Sequence, residues 1–295
     1  MGDKFAVGVD LGGTKILGSV VNLNTGRMVS TSKKKTRVVN EGLDLVKRIS
    51  LVVADAIDES GMDPSKLAGI GIGAAGMVDR EKGILLAAAN LGANDVVLAE
   101  PLKAQFGLPV KVGNDVEVAT LGELNFGAGR ECNNFVCIFV GTGIGSGIVH
   151  EGRILRGGSG TAGEVGHIIV DNDGLVCGCG GYGCLETYAS RTAVAKSIVY
   201  DLGRGMDSVL RDKIDPQKGI LRSKAISQAV ECGDRVALRA IHKAARYMGL
   251  GLATVINFYN PKRIIIGGGL VEAVPLFLDL AEEEARRRCR RIPAK

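Results

Sequence analysis

The chain opens on an apolar run, Phe5 to Val9, which is broken by Asp10-Leu11-Gly12-Gly13-Thr14-Lys15 and resumes from Ile16 to Val21. Asn24-Thr25-Gly26 reads as the next turn and Arg27 to Thr31 as a third strand. Together they predict a β-meander with a glycine turn at its head. The period then lengthens. Leu45, Ile49, Val52, Val53 and Ala56 recur at helical spacing, which predicts a helix over Glu41 to Glu59 that stops at Gly61. Leu67 to Ile72 reads as a short buried strand, Pro101 to Phe106 as a helix, and Pro109 to Val112 as a strand ending at Asn114-Asp115. Another helix starts at Val116 and runs to Gly122.

The opening then recurs. Phe135 to Val140 leads through Gly141-Thr142-Gly143-Ile144-Gly145-Ser146-Gly147 into Ile148-Val149, and on to Arg153-Ile154-Leu155. Laying Phe5 on Phe135 brings Gly13 onto Gly143. Beyond 185 the pattern is helical, apart from one strand, Arg263 to Ile266, that enters Gly267-Gly268-Gly269. Two related α/β halves, residues 1–113 and 114–295, with a cleft between them are the economical reading.

Composition narrows the class. The 295 residues suffice for two domains, and the net charge of +5 carries no long one-sign block. Lys33-Lys34-Lys35 and the Arg286 to Arg291 cluster read as solvated faces and not as a nucleic-acid patch. No apolar run reaches the roughly 20 residues that span a bilayer, and no signal peptide precedes the first strand. The expectation is a cytoplasmic protein without membrane or nucleic-acid partners. Three of the seven cysteines cluster, which suits a reducing compartment and a metal better than a disulfide framework.

Three glycine clusters compete for a phosphate. Gly71-Ile72-Gly73-Ala74-Ala75-Gly76 fits the dinucleotide string, but that motif needs a helix opening at its last glycine. Met77 to Gly83 reads instead as strand and turn, so the match is a decoy. The turns at Asp10 to Lys15 and Gly141 to Gly145 are flanked by strands and lack Walker spacing. A glycine hairpin can still aim backbone N–H groups at phosphate oxygens, and Asp10 beside it could hold Mg²⁺. Plain hairpin turns are the alternative; the pairing of two such turns with the run at 267–269 favours a nucleotide.

His167 with Cys177, Cys179 and Cys184 has the residue types and spacing of a tetrahedral zinc site. Glu164 and Glu186 flank these ligands, an arrangement suited to aiming carboxylates at a small polar ligand.

Asp10-Leu-Gly-Gly-Thr-Lys15, Gly141-Thr-Gly-Ile-Gly145, Glu164-Val-Gly-His167 and Cys177-Gly-Cys179-Gly-Gly-Tyr-Gly-Cys184-Leu-Glu186 resemble the bacterial ROK family of repressors and sugar kinases. The resemblance runs from about residue 5 to 290. It implies a two-domain actin-like ATPase (ribonuclease H-like) fold with an interdomain cleft, in the sugar kinase/actin/Hsp70 superfamily. It implies Asp115 as catalytic base, while the residues alone equally allow Asn114-Asp115 to cap the helix that follows. Asn114, Glu164, His167 and Glu186 would bind sugar hydroxyls, with Gly76 and Asn90 as further pocket members. Gly12, Gly13, Thr14, Lys15, Thr142 and Gly143 would contact nucleotide phosphates, and Gly267, Gly268 and Gly269 the adenosine. Zinc would be structural, held by His167, Cys177, Cys179 and Cys184, and Mg²⁺ would accompany ATP.

The expected activity is phosphorylation of glucose by ATP. N-acetylmannosamine and N-acetylglucosamine kinases share the same hydroxyl-binding residues, and polyphosphate is a weaker donor candidate. A sugar-sensing repressor needs a helix-turn-helix ahead of the kinase-like part, whereas nine residues precede Asp10. A non-catalytic zinc-stabilised module would bind sugar without turnover. The resemblance implies a homodimer. It also frays: Ala75 stands where many members have Pro, and Asn90-Leu91 is followed by Gly92-Ala93-Asn94 where they have Trp, which predicts a roomier or differently packed pocket near Asn90. Family members continue past the position of Lys295 with a strand and a closing helix.

Overall fold

Val7, Val9 and Leu11 alternate inward along the first strand, and the face they form is covered by a helix bearing Leu45, Ile49, Val52 and Val53. This computed structural model describes residues 2–36, 43–88, 91–214 and 221–290. The chain divides into two compact units, Met1–Glu131 and Cys132–Lys295. The break expected near 114 falls at the junction of a strand and the helix after it. That helix packs on the strands of the first unit, so the division by compactness lies beyond it.

The first unit contains β1 (Phe5–Leu11), β2 (Lys15–Asn22), β3 (Ser32–Lys35), α1 (Leu43–Ser60), β4 (Leu67–Ala74), β5 (Met77–Asp79), β6 (Ile84–Ala88), β7 (Ala93–Val97), α2 (Ala99–Phe106), β8 (Val110–Asn114) and α3 (Asp115–Asn125). Its main sheet runs β3-β2-β1-β4-β8, with β1–β2 antiparallel and β1–β4 and β4–β8 parallel. A second antiparallel sheet, β5-β6-β7, follows β4 directly. Strand β4 therefore leads into strand β5 with no helix between them, as the decoy reading of Gly71 to Gly76 requires. Helix α1 sits close on β2: a Cβ at Gly18 would lie 2.5 Å from Val52 Cγ1.

The third strand differs from expectation. It spans Ser32–Lys35, and Met28 makes only an isolated bridge to Val21. The cause is Ser30, whose hydroxyl donates to the Ala56 carbonyl on α1 at 2.5 Å while its own carbonyl accepts from Ser19 Oγ at 2.5 Å. The chain is pulled onto the helix there and pairs regularly only afterwards. Lys33, Lys34 and Lys35 then lie on an edge strand, where charge discourages pairing with another chain.

The second unit contains β9 (Phe135–Val140), β10 (Ile144–His150), β11 (Arg153–Ile154), α4 (Glu186–Ala189), α5 (Arg191–Gly203), α6 (Ser223–Glu231), α7 (Arg235–Tyr259), β12 (Arg263–Gly267), α8 (Gly269–Ala273) and α9 (Pro275–Arg288). Its sheet runs β11-β10-β9-β12, with β9–β10 antiparallel and β9–β12 parallel. The recurrence of the opening pattern thus corresponds to one topology used twice, since β9, β10 and β12 repeat the pairing of β1, β2 and β4. Ala240, Ala244, Ala245, Met248 and Leu252 bury one face of α7, and its small residues let neighbours approach. A Cβ on Gly249 would lie 2.5 Å from Glu284 Cβ of α9.

Candidate active site

In the first unit the ends of β1, β4 and β8 are in register. Asp10 pairs with Gly73, and Gly73 with Gly113. Asp115 opens α3 one residue after β8 ends. A Cβ at Gly73 would lie 3.5 Å from Asp115 Cα. Partial loss of hydration at this packed end, and then the Asp115 charge, raise the carboxyl of Asp10 above its ordinary range, opposed by Lys15. Burial raises Asp115 too, opposed by the Val116 N–H that its carboxylate accepts at 2.9 Å.

Asn114 caps α3. Its Oδ1 accepts from Val116 N–H at 3.0 Å and Glu117 N–H at 3.2 Å, and its Nδ2 donates to the Gly76 carbonyl at 3.1 Å. Capping and site reading are thus both served by the Asn114-Asp115 pair, with one Nδ2 hydrogen beyond those bonds. Gly76 adopts φ +151°, and a Cβ there would lie 2.3 Å from the Ala87 carbonyl. Only glycine fits where β5 folds back. Arg80 pairs with Glu117 at 2.5 Å, so the β5–β6 turn also grips the first turn of α3. Sequence reasoning missed Arg80, since nothing local links it to a helix so far along the chain. Asn90 lies outside the described residues.

The turn from Gly12 to Lys15 is closed by Gly12 N–H donating to the Lys15 carbonyl at 3.1 Å, and Gly13, Thr14 and Lys15 are exposed. Thr36 ties it down, donating Oγ1–H to the Gly12 carbonyl at 2.8 Å and N–H to the Thr14 carbonyl at 3.0 Å.

In the second unit Gly141 N–H closes onto the Gly143 carbonyl at 2.9 Å, leaving Thr142 exposed. The start of α5 supports this turn: Arg191 N–H reaches the Gly141 carbonyl at 2.9 Å and Thr192 Oγ1–H the Thr142 carbonyl at 2.6 Å. A Cβ on Gly268 would lie 2.7 Å from the Val140 carbonyl, so the run Gly267 to Gly269 abuts the strand that enters the turn.

His167 ends a single 3₁₀ turn, Val165–His167, and Glu164 precedes it, exposed and without a hydrogen-bond partner for its carboxylate among the described residues. Ser146 of β10 holds this turn, donating to the Gly163 carbonyl and accepting from Val165 N–H at 2.9 Å. That serine hides inside a glycine run and gave no signal in the sequence.

The four proposed metal ligands converge: one ligand atom each from His167, Cys177, Cys179 and Cys184 lies within 4.8 Å of the others, a group able to hold a metal ion. Nδ1 of His167 is 3.7 Å from Cys177 Sγ, and Cys179 Sγ is 3.8 Å from Cys184 Sγ. Burial, and then the two neighbouring thiols, push Cys184 up to about 12, whereas the Gly181 N–H and then Cys177 lower Cys179. A cation among these sulfurs would favour the thiolates. Tyr188 braces the loop: its hydroxyl donates to Asp171 at 3.0 Å, accepts from Leu175 N–H at 2.7 Å, and its ring stacks on Tyr247.

Glu186 does more than the sequence suggested. Its Oε2 accepts the Ile144 N–H at 2.7 Å, directly beside the glycine turn, which leaves Oε1 for a ligand.

Residues 6–293 match the profile described as the ROK family. The chain is 38% identical to a glucokinase of Halalkalibacterium halodurans, over 92% of this chain and 82% of that protein. It is 30% identical to a xylose repressor of Caldicellulosiruptor bescii, over 96% of this chain and 70% of the repressor. Among solved structures, a ROK family glucokinase from Streptomyces griseus in complex with glucose and AMPPNP is 38% identical. That match has a TM-score of 0.81 and covers 96% of this chain and 89% of the other. The architecture is the α/β actin-like ATPase fold of these sugar kinases.

Proposed function

The chain belongs to the ROK family, and from that premise we propose that it is an ATP-dependent hexose kinase that forms glucose 6-phosphate from glucose. The observation that carries this is the pair Asp10 and Asp115 at the ends of β1 and β8, on either side of β4 and close enough to feel each other's charge, two carboxylates that a sugar sensor has no need to keep together. A sugar hydroxyl oxygen bonds to the γ-phosphorus as the bond to the β-phosphate oxygen breaks. ADP leaves, and Asp115 takes the hydroxyl proton. Phosphoryl transfer through a loose transition state asks the protein mainly for positioning and charge neutralisation. The raised carboxyl of Asp115 suits a general base better than an ordinary exposed aspartate would.

Glu164, His167 and the free Oε1 of Glu186 bind sugar hydroxyls, carboxylates making strong charge-assisted bonds to O–H donors. Asn114 contributes its remaining amide hydrogen. The exposed turns at Gly12 to Lys15 and Thr142-Gly143 take phosphate oxygens, and Gly267 to Gly269 lie by the adenosine. Asp10 would help hold the Mg²⁺ that accompanies ATP, which when bound would supply charge neutralisation to the phosphates.

The metal is zinc in this reading. Tetrahedral zinc with bonds of about 2.3 Å to sulfur separates two thiolates by about 3.8 Å, which matches the spacing of Cys179 and Cys184. With Nδ1 turned to the thiols, Nε2 of His167 is left as an N–H donor towards the sugar. His167, Cys177, Cys179 and Cys184 would supply all four ligands, so a zinc ion held there would orient the pocket and leave no open position to activate water.

The proposal extends to a cytoplasmic homodimer; among the described residues no helix is long and apolar enough to cross a membrane. The likeness to a xylose repressor supports a second reading, a sugar sensor without turnover. Phosphorus NMR of a reaction of ATP, Mg²⁺ and glucose separates the two. A phosphomonoester on the 6-hydroxyl supports the kinase, and unchanged ATP with glucose bound supports the sensor.

A further inference from the structure

The backbone of Ile144 is held on both its N–H and its carbonyl side by the metal loop. Its N–H donates to Glu186 Oε2 at 2.7 Å, and Glu186 follows the ligand Cys184 by two residues. The link from Cys184 is stiff, because Thr187 donates both its N–H, at 3.0 Å, and its hydroxyl, at 2.7 Å, to the Cys184 carbonyl. On the other side Gly166, the neighbour of His167, lies against the Ile144 carbonyl so closely that a Cβ there would come within 2.2 Å of the oxygen. Ile144 is also the residue on which the turn Gly141 to Gly143 ends and β10 begins. The turn has adapted to this grip, since a Cβ on Gly143 would lie 2.2 Å from Glu186 Oε2.

We propose that Glu186 is the positioning residue through which the metal loop sets the turn Gly141–Gly143, so that metal loss weakens nucleotide binding as well as sugar binding. The inference rests on the kinase reading, in which that turn receives phosphate. A carboxylate on the Ile144 N–H fixes the direction of the neighbouring peptides, and backbone amides bind an anion only when held in one orientation. Without the metal, Cys184 and His167 lose their common anchor, and Glu186 and Gly166 loosen on the two peptide groups that flank Ile144.

The test is equilibrium binding of AMPPNP with Mg²⁺ in the absence of sugar, measured by calorimetry on the full chain. Glu186→Ala should weaken binding about 10- to 100-fold, the usual worth of a hydrogen bond to a charged group. Glu186→Gln should stay within about threefold, because its amide oxygen accepts the same N–H. Gly143→Ala should weaken binding in the wild-type background, where it displaces Oε2, and add nothing in Glu186→Ala. Chelator-stripped wild type should resemble Glu186→Ala, and its Ile144 amide should exchange hydrogen faster than in the metal-loaded chain, a readout that needs no variant to fold. Unchanged AMPPNP affinity in Glu186→Ala, or metal-independent exchange at Ile144, overturns the inference alone. Failure of the wild type to bind AMPPNP overturns the kinase reading and the inference with it.

Discussion

Asp10 and Asp115 stand on either side of Gly73, one at the end of β1 and one just past the end of β8, and both carboxyls are held above the ordinary range. Partial burial is the leading cause in each case. The Asp115 charge adds to the effect on Asp10. Burying carboxylates this way costs stability, and the arrangement makes sense when one of them accepts a proton in the reaction.

Asp115→Ala should lower kcat by about 10²–10⁴, the range for losing a general base, while sugar affinity measured by calorimetry is largely kept. An unchanged kcat rejects Asp115 as the base. In the wild type, activity needs the ionised form. The acid limb of kcat/KM should therefore have its midpoint above the unperturbed 3.8.

The same shift has a stability signature. A carboxyl whose folded pKa is raised makes the folded state bind protons more tightly than the unfolded chain. Its contribution favours folding below the unfolded value of 3.8 and is lost as pH rises through the folded pKa. Asp115→Asn should therefore raise Tm at neutral pH relative to wild type, with the gain vanishing in acid. Melting curves across pH check this, and a lower Tm at pH 7 contradicts it.

Cys179 is the exposed member of the metal quartet, so Cys179→Ser removes a ligand without opening the core. Metal content by elemental analysis should fall, and KM for sugar should rise on the order of tenfold as the His167 donor loses its orientation. Metal-free protein with a normal sugar KM would break the coupling.

Gly76→Ala meets both a backbone conformation that side chains rarely adopt and the Ala87 carbonyl. The backbone strain alone should cost about 1–3 kcal/mol, seen as a lower urea midpoint. Because Asn114 donates to the Gly76 carbonyl, kcat should fall as well. A variant as stable and active as wild type removes Gly76 from the site.

What could be read in advance followed from periodicity and from residue chemistry concentrated in short stretches. Helix α1 was visible from Leu45, Ile49, Val52, Val53 and Ala56, all of which are buried. The strand–glycine turn–strand recurrence marked two sheets of matching topology, and the His167 and cysteine spacing marked a cluster that closes in space. The rest depends on contacts between distant segments. Ser30 leaves the ladder because a helix carbonyl 26 positions on accepts its hydroxyl, which no local pattern encodes. Arg80 reaches Glu117, and Glu186 reaches the Ile144 peptide 42 positions back; each looks like an ordinary charged residue in the sequence. The hairpin β6–β7 went unread because Ile84 to Val97 is apolar without a period.

The central claim is phosphoryl transfer to a sugar, and coupled measurement of ADP release tests it most directly. ATP and Mg²⁺ are supplied with glucose, mannose, N-acetylmannosamine or N-acetylglucosamine in turn. The account predicts rapid ADP release with glucose, slower release with the others, and none with Asp115→Ala. Fast release with an N-acetyl sugar and little with glucose would correct the substrate. No sugar-dependent release with any of the four, from metal-loaded protein that binds glucose, would contradict the kinase reading.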